Sequence, residues 1–252
     1  MKLLSLARDL QRRKARERQA LFVVEGVRAT EELLRSTLVV RGALVAPQLG
    51  EAPRGAALRA SLASRGVTVD EVGHRDFASA AATESPQGVL AIAEVPARAL
   101  DSMPGSDAPL LILDGVQDPG NAGAILRTAA ALGARATIAL PGTVDLWNPK
   151  VVRAAVGAHF SHYAFAAEWN AVASFLSGTQ TSLWVTAAAG APLDQLARPG
   201  RVAVVLGNEG AGVSAPIASA AAQLVGIPIA PGAESLNVAV TAGIVLYSLR
   251  AK

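Results

Sequence analysis

The stretch LLILDGVQDPGNAGAILRTAAAL, residues 110–132, decides the fold class of this chain. It opens with four consecutive apolar residues at 110–113, a run typical of a parallel strand that is covered on both faces. The turn sequence DPGN at 118–121 follows, and the alanine-rich segment after it predicts a helix that stops at Gly133. A strand, a turn and a helix in this order predict one unit of an α/β parallel sheet.

The same alternation continues towards the C-terminus. We predict strands at residues 136–140, 183–186, 202–206 and 224–229, and helices at 149–158 and 236–250. The last helix is apolar on nearly every side, so it must be covered on most of its surface. We expect its small residues to lie in the core or, as the alternative, at a subunit interface; they are Ala239, Ala242 and Gly243.

Residues 1–98 form a smaller part with strands and helices of its own. Its predicted strands lie at 22–24, 39–45, 67–72 and 88–94, and its predicted helices at 3–18, 30–36 and 56–65. Residues 99–109 are rich in turn formers and predict a linker to the C-terminal part, residues 110–252. We therefore predict an α/β fold in which a small α/β domain precedes a parallel-sheet domain.

Composition excludes several classes of protein. The chain has 252 residues, 51% of them hydrophobic, and no cysteine, which excludes disulfides, thiolate zinc sites and cysteine nucleophiles. It contains neither a membrane-length apolar segment nor a secretory signal, so we expect a cytoplasmic protein. His159 and His162 lie one helical turn apart, but no carboxylate cluster accompanies them. We therefore expect polar residues near the surface and no metal site.

Positive charge is concentrated at the N-terminus. Residues 1–20 carry seven basic and two acidic residues, a net charge of +5, whereas the whole chain has a net charge of +3. Such a basic arm favours contact with a polyanion. A solvated helix face explains the same pattern equally well, so the charge alone leaves both interpretations open.

Three segments at predicted strand ends carry more glycine and polar residues than packing requires. They are residues 113–129, 205–214 and 227–240. Ligands of parallel sheets bind outside the carboxyl ends of strands, where all three lie. The second segment is neither a P-loop nor a dinucleotide fingerprint, because it lacks the Lys-Ser/Thr pair of the one and the glycine spacing of the other.

Side chains in these segments indicate where two helices begin. We expect Asn121 and Ser235 to cap their helices. Asn237 then falls inside the first helical turn, where its amide needs a partner. Arg127 stands in the middle of an alanine-rich helix without a carboxylate one turn away, which suits a cation that is held for an anion.

Taken in order, the three segments resemble the signature motifs of the SpoU (TrmH) family of RNA 2′-O-ribose methyltransferases. The matching patterns are N-x-G-x-x-x-R-T-A from Asn121, L-G-x-E-G-x-G from Leu206 and E-S-L-N-V from Glu234. Residues 147–157, 22–26 and 85–88 also look familial, so the resemblance covers nearly the whole chain. It implies a SPOUT-class catalytic domain with a deep trefoil knot, preceded by an L30e-like substrate-binding domain, although knots are otherwise essentially absent from proteins.

The resemblance also implies an activity. It is methyl transfer from S-adenosylmethionine to a ribose 2′-hydroxyl of structured RNA by a homodimer, with ribosomal RNA favoured over transfer RNA. The implied catalytic residues are Asn121, Arg127, Glu209, Ser235 and Asn237. The implied cofactor-binding positions, which act largely through backbone groups, are Leu206, Gly207, Ile227, Ile229 and Leu236. The RNA-binding positions that we expect are Arg8, Arg12, Arg13, Lys14, Arg16, Lys150 and Arg153.

Chemistry restricts the role of Arg127. A guanidinium is effectively never deprotonated in proteins, so Arg127 is a poor general base. We instead assign its planar guanidinium to binding both an RNA phosphate and the nascent alkoxide. Two other functions compete with this interpretation. A non-catalytic ribosome-assembly factor on the same fold would be expected to lose Arg127, Glu209 or Asn237, and all three are present. An oxidoreductase would need the missing dinucleotide fingerprint.

Overall fold

A computed structural model describes residues 2–250 of the chain. The helices are α1 (Lys2–Asp9), α2 (Arg13–Gln19), α3 (Val27–Arg35), α4 (Pro53–Ser64), α5 (His74–Ala78), α6 (Pro119–Ala131), α7 (Pro149–Ala154), α8 (Ala158–Ser161), α9 (Trp169–Gly178), α10 (Ala215–Ser219) and α11 (Val238–Leu249). The strands are β1 (Leu21–Glu25), β2 (Val40–Val45), β3 (Val69–Glu71), β4 (Val89–Glu94), β5 (Leu110–Asp114), β6 (Ala136–Ala139), β7 (Ala164–Ala166), β8 (Ser182–Pro192), β9 (Val202–Gly207) and β10 (Gln223–Gly226). The predicted α/β class is confirmed.

The chain forms two compact units. The first unit comprises Met1–Ala97 and Trp147–Phe160, and the second comprises Arg98–Leu146 and Ser161–Lys252. Residues 147–160 differ from the expectation, since the sequence places them in the C-terminal part. They belong to the first unit because α7 packs on β1 and the Trp147 ring lies 4.5 Å from that of Phe22.

The first unit contains a four-stranded sheet in the order β1-β4-β2-β3. β4 is antiparallel to both of its neighbours, and β2 and β3 are parallel. The basic N-terminal segment forms two helices rather than one. The chain turns between them because Leu10 is fully buried and the Arg16 guanidinium donates to the carbonyl oxygens of Leu10 and Gln11 at 2.8 and 2.9 Å.

The second unit contains a six-stranded sheet in the order β10-β8-β9-β5-β6-β7, and every neighbouring pair is parallel. The apolar strands β5 and β9 are buried along nearly their whole length, as expected for strands covered on both faces. The chain runs outward from β5 through β6 to β7 and then returns to the other side of β5. Residues 164–178, for which the sequence predicts no element, form β7 and α9.

The return of the chain creates a switch point between β5 and β9. Asp114 at the end of β5 is in register with Gly207 at the end of β9. The loops after both strands therefore open at the same edge of the sheet, which is where ligands of such sheets bind.

Both predicted helix caps are wrong by a few residues. The cap of α6 is Asp118, whose Oδ1 accepts from the Asn121 amide nitrogen at 2.7 Å. Pro119 occupies the first helical position, which proline favours, and so fixes the cap at the residue before it. The cap of α11 is Asn237 rather than Ser235, because the helix begins only at Val238.

Helix α11 packs against α6 within the same chain. Its Ala242 is fully buried, and a Cβ on Gly243 would lie 3.5 Å from Thr128 Cγ2 of α6. At least part of the small-residue stripe therefore contributes to the core. Another part of the helix surface leaves Val240 and Tyr247 50% and 54% exposed.

The two C-terminal histidines are buried, so their predicted surface positions are wrong. His162 is 6% exposed, and its Nε2 lies 2.8 Å from Thr137 Oγ1 of β6. Its carbonyl oxygen accepts a hydrogen bond from the Arg98 guanidinium. Burial, assisted by the charge of Arg98, lowers the pKa of His162 from 6.5 to about 4.

The described chain, residues 2–250, contains no group of three or more His, Asp or Glu side chains arranged to hold a metal ion. In the same residues, no helix has the length and apolarity needed to cross a membrane.

The pKa of His162 predicts a pH dependence of stability. The folded chain keeps this imidazole neutral down to about pH 4, whereas the unfolded chain protonates it near pH 6.5. The free energy of unfolding should therefore fall by roughly 3 kcal/mol as the pH drops through this window, with no further loss from this group below it. Urea unfolding of wild type and His162→Gln across the window isolates the effect. Equal pH dependence in the two proteins would contradict it.

Candidate active site

An open cavity of about 490 Å³ lies in the second unit, at the edge where the parallel strands end. Its wall is formed by β8, the loop after β9, the segment after β10 and the first turn of α11. This volume is typical of small-molecule sites. The predicted site residues that line it are Gly207, Glu209, Ile227, Ile229, Ser235, Leu236 and Asn237.

The loop after β9 is closed on itself by Asn208. The Asn208 Oδ1 accepts from the amide nitrogens of Gly210 and Ala211, both at 2.9 Å, and its Nδ2 donates to the Gly115 carbonyl at 2.8 Å. The backbone of Asn208 also pairs with that of Gly212. Sequence reasoning missed Asn208, although an asparagine next to a glycine is a known turn signal.

Gly207 has a steric reason to be glycine. A Cβ at this position would overlap the backbone of Gly212 and Val213, because the loop folds back directly over it. The cavity therefore has a wall of bare backbone at the end of β9. Such a wall allows a ligand to approach main-chain donors and acceptors closely.

Three of the predicted polar residues form a continuous chain of hydrogen bonds. Asn237 Nδ2 donates to Asn121 Oδ1 at 2.9 Å, and Asn121 Nδ2 donates to Glu209 Oε1 at 2.9 Å. Asn237 Oδ1 accepts from the amide nitrogens of Ala239 and Val240 at 2.9 and 3.4 Å. The three motif segments thus meet in one polar network.

The direction of this network is set by the N-terminus of α11. The backbone N–H groups there require an acceptor, so Asn237 must turn its Oδ1 towards them and its Nδ2 towards Asn121. Asn121 must then face Asn237 with its oxygen and Glu209 with its nitrogen. Glu209 ends the network as an acceptor, which suits a carboxylate that braces Asn121.

Three other predicted residues lie outside this network. Arg127 is exposed on α6 and does not line the cavity, and its side chain makes no hydrogen bond or ion pair within residues 2–250. Ser235 lines the cavity without capping α11. Leu206 is fully buried in β9, so its side chain is part of the core rather than of the cavity wall.

The basic positions expected to contact RNA all lie in the first unit. Arg8 pairs with Asp76 at 2.9 Å, and exposed pairs also hold Arg12 and Arg13. Exposed ion pairs contribute little free energy, so an incoming phosphate can replace them. Arg16 is different, because it is 3% exposed and bound to backbone carbonyls. This burial argues against the predicted RNA contact of Arg16. Lys14, Lys150 and Arg153 are exposed.

Comparison with known proteins identifies the class that this fold and site define. Residues 108–247 match the model of the SpoU rRNA methylase family, and residues 5–91 match an MRM3-like substrate-binding domain. The first match covers more than half of the chain. The chain belongs to the SpoU rRNA methylase family, as the motifs indicated.

Individual relatives agree with this assignment. The 23S rRNA (guanosine(2553)-2′-O)-methyltransferase RlmP of Bacillus subtilis is 32% identical over 96% of this chain and 94% of its own length. The AdoMet-bound rRNA methyltransferase of Sinorhizobium meliloti has a TM-score of 0.85 at 28% identity, covering 98% and 93% of the two chains. The structure of AviRb of Streptomyces viridochromogenes, a SpoU methyltransferase in complex with AdoMet, has a TM-score of 0.87 at 27% identity. The match covers 99% of this chain and 97% of AviRb.

Substitution at position 237 separates capping from the hydrogen-bond network. Aspartate caps a helix as well as asparagine does, so the free energy of unfolding of Asn237→Asp should lie within about 0.5 kcal/mol of the wild-type value. It has no N–H to give Asn121, however, and we expect methyl transfer to fall about 10- to 100-fold because the site loses its geometry. Asn237→Ala, which loses both functions, should also lose about 1 kcal/mol of stability.

Urea unfolding and methyl incorporation into rRNA measure the two effects. Wild-type turnover in the Asn237→Asp protein would show that the orientation of Asn121 is unimportant for the reaction.

Proposed function

We propose that this protein transfers the methyl group of S-adenosylmethionine to a ribose 2′-hydroxyl of ribosomal RNA. The observation that carries the proposal is the hydrogen-bonded network of Asn237, Asn121 and Glu209 beside the 490 Å³ cavity. These residues come from three motifs of the family to which the chain belongs. The B. subtilis relative, named as a 23S rRNA 2′-O-methyltransferase, supports ribosomal RNA as the substrate.

The cavity fits S-adenosylmethionine in size and charge. Its only charged lining residues within the described chain are Glu209 and Glu234, and no lysine or arginine lines it. An acidic wall is complementary to S-adenosylmethionine, because its sulfonium and ammonium groups outweigh its one carboxylate and leave it with a net positive charge. Ile227, Ile229 and Leu236 supply an apolar surface, and Gly207 supplies the bare backbone, so these residues would hold the nucleoside part of the cofactor.

The cofactor, when bound, supplies an electrophilic methyl group. The chain's own residues must then position the acceptor oxygen and stabilise the charge that develops on it. Asn121 and Asn237 are held in one orientation by their network, and Ser235 lies beside them in the cavity wall. We assign these three residues to orienting the site, and Glu209 to bracing Asn121.

Arg127 is assigned to the RNA. Its side chain is exposed and makes no hydrogen bond or ion pair in the described part of the chain, so its guanidinium group is available to bind a ligand. A planar guanidinium binds two oxygens at once, which suits an RNA phosphate and the nascent 2′-alkoxide. The pKa of arginine argues against deprotonation of the 2′-hydroxyl by this residue.

The finer features of the fold complete the proposal. The family assignment supports a trefoil-knotted catalytic domain over residues 110–252, in which the loops after β9 and β10 border the same cavity. It also supports an L30e-like domain over residues 1–98 that binds the RNA, joined by the linker 99–109. The bacterial relative RlmP of B. subtilis, named as a 23S rRNA methyltransferase, supports a cytoplasmic location.

A direct assay tests the proposed function. The protein is incubated with unmethylated 23S rRNA and methyl-labelled S-adenosylmethionine, and 2′-O-methyl positions are mapped. Labelled ribose is the expected product. RNA binding without any methyl transfer would instead favour the assembly factor, and binding of NAD in place of S-adenosylmethionine would favour an oxidoreductase.

Arg127→Lys tests whether the Arg127 guanidinium binds two oxygens at once. Lysine preserves the charge but cannot hold two oxygens in a plane, so most turnover should be lost, on the order of 10²-fold. The Kd for S-adenosylmethionine should stay at the wild-type value, because Arg127 does not line the cavity. Near-wild-type turnover in this variant would refute the role.

We also propose that the protein is a homodimer that pairs through α11. Val240 and Tyr247 lie seven residues apart, on one face of the helix, and both are about half exposed. An exposed apolar helix face is typical of an interaction surface.

Sedimentation velocity at micromolar concentration should therefore give a dimer, and Val240→Asp should give a monomer because a charge would be buried. Leu224→Asp, at a similarly exposed position on β10, is the matched control and should remain dimeric. A monomeric wild type would contradict the proposal.

A further inference from the structure

A second cavity, of about 330 Å³, lies wholly within the first unit. Its wall combines the end of β1, the start of α3, residues between 83 and 87, and the C-terminal end of α7. The cavity therefore brings together segments that are far apart in the sequence. It shares no residue with the cavity of the candidate active site.

Two arginines in this wall present exposed side chains. Arg28 of α3 and Arg153 of α7 are both exposed, and neither side chain makes a hydrogen bond or an ion pair within residues 2–250. Because they stand in the same wall, they raise the positive potential of one small volume.

The carboxylates nearest to Arg28 in the chain are already engaged. Glu31 pairs with Arg54, which lowers the pKa of that carboxyl group, and Glu32 pairs with Arg35 at 2.5 Å. Glu25 stands in the cavity wall itself. Its carboxylate accepts from the Ala82 amide nitrogen at 2.7 Å and from the Thr83 hydroxyl. The charges of Glu25 and Glu31 therefore offset part of the positive potential, but within residues 2–250 neither carboxylate forms an ion pair with Arg28.

The rest of the wall carries neutral polar groups and a small apolar surface. Gln87 Oε1 accepts from the Val27 amide nitrogen at 2.8 Å, which holds the side chain in place and leaves the Nε2 donors of its amide for a ligand. Ser85 supplies a hydroxyl, and Val156 supplies an apolar side chain that is 50% exposed.

We propose that this cavity binds one unpaired nucleotide of the substrate RNA, with its phosphate held between Arg28 and Arg153. Planar guanidiniums bind phosphate oxygens bidentately, and the amide of Gln87 and the hydroxyl of Ser85 suit a sugar or base edge. Proteins that read RNA by sequence bind nucleotides splayed out of single-stranded loops. The inference rests on the proposed function, because it names a substrate contact for the same enzyme.

A double variant tests this site. Arg28→Gln/Arg153→Gln removes both guanidiniums, whereas the matched control Arg41→Gln/Arg59→Gln removes two exposed, paired arginines elsewhere in the first unit. Binding of each protein to a labelled, unmethylated 23S rRNA transcript is measured over a series of salt concentrations. The cavity variant should bind about 10-fold more weakly, and its slope of log K against log salt should be shallower by about 1.

The control should keep the wild-type affinity and slope to within about 2-fold, after thermal melting has shown that both variants are folded. Equal losses of RNA affinity in the two double variants would show that the effect reflects only the net positive charge of the protein, and would overturn the site. Wild-type binding by the cavity variant would also overturn it.

Methylation kinetics distinguish failure of this site from failure of the proposed function. The cavity variant should raise KM for the RNA and keep both kcat and the Kd for S-adenosylmethionine. If the wild type binds the transcript but does not methylate it, the proposed function fails, and the binding comparison still decides the cavity. If the wild type methylates and the cavity variant keeps its KM, only the cavity assignment fails.

Discussion

The hydrogen bond from Asn237 to Asn121 is the interaction on which the arrangement of the site depends. Asn237 uses its oxygen to cap α11 and its nitrogen to hold Asn121, so one side chain connects the start of a helix to the cavity. A primary amide has donors at one end and an acceptor at the other, which means that neither asparagine can turn over without breaking two bonds. The backbone dipoles of α11 thus orient the polar groups as far away as Glu209.

This constraint explains why the network consists of two amides and a single carboxylate. An aspartate at position 121 would bring a second negative charge against Glu209, and a hydroxyl would be too short to span both neighbours. The same region needs loops that hold their shape without a core. Asn208 provides this by bonding three backbone groups with its side chain, and Gly207 allows the loop to close over the strand.

The arginines of the chain divide according to their surroundings. Several of those in the first unit are engaged in exposed ion pairs, for example Arg8, Arg54 and Arg59. Arg28, Arg127 and Arg153 make no such pair within the described residues, and each stands where an RNA phosphate is proposed to bind. Net charge therefore says less about RNA contact in this protein than the absence of an ion pair at individual arginines does.

Much of the catalytic unit could be predicted from the sequence, because its signals are local. A buried apolar run such as residues 110–113 has few alternatives to a covered parallel strand, and glycine and asparagine at strand ends indicate a ligand site before any contact is known. Errors began where tertiary packing competes with local preference. The burial of Leu10, for example, divided the N-terminal helix. The cap of α6 at Asp118 is a different case, because Pro119 at the first helical position is a local signal that the sequence prediction overlooked.

The sequence by itself determined the α/β class, the family motifs and the residue types of the site. Only the tertiary structure decided which of these residues meet. It joined Asn121, Glu209 and Asn237 in one network, buried Arg16, and brought Arg153 into the unit that contains Arg28. The physical reason is that local patterns fix which face of an element is buried, whereas contacts between distant segments depend on how whole elements pack.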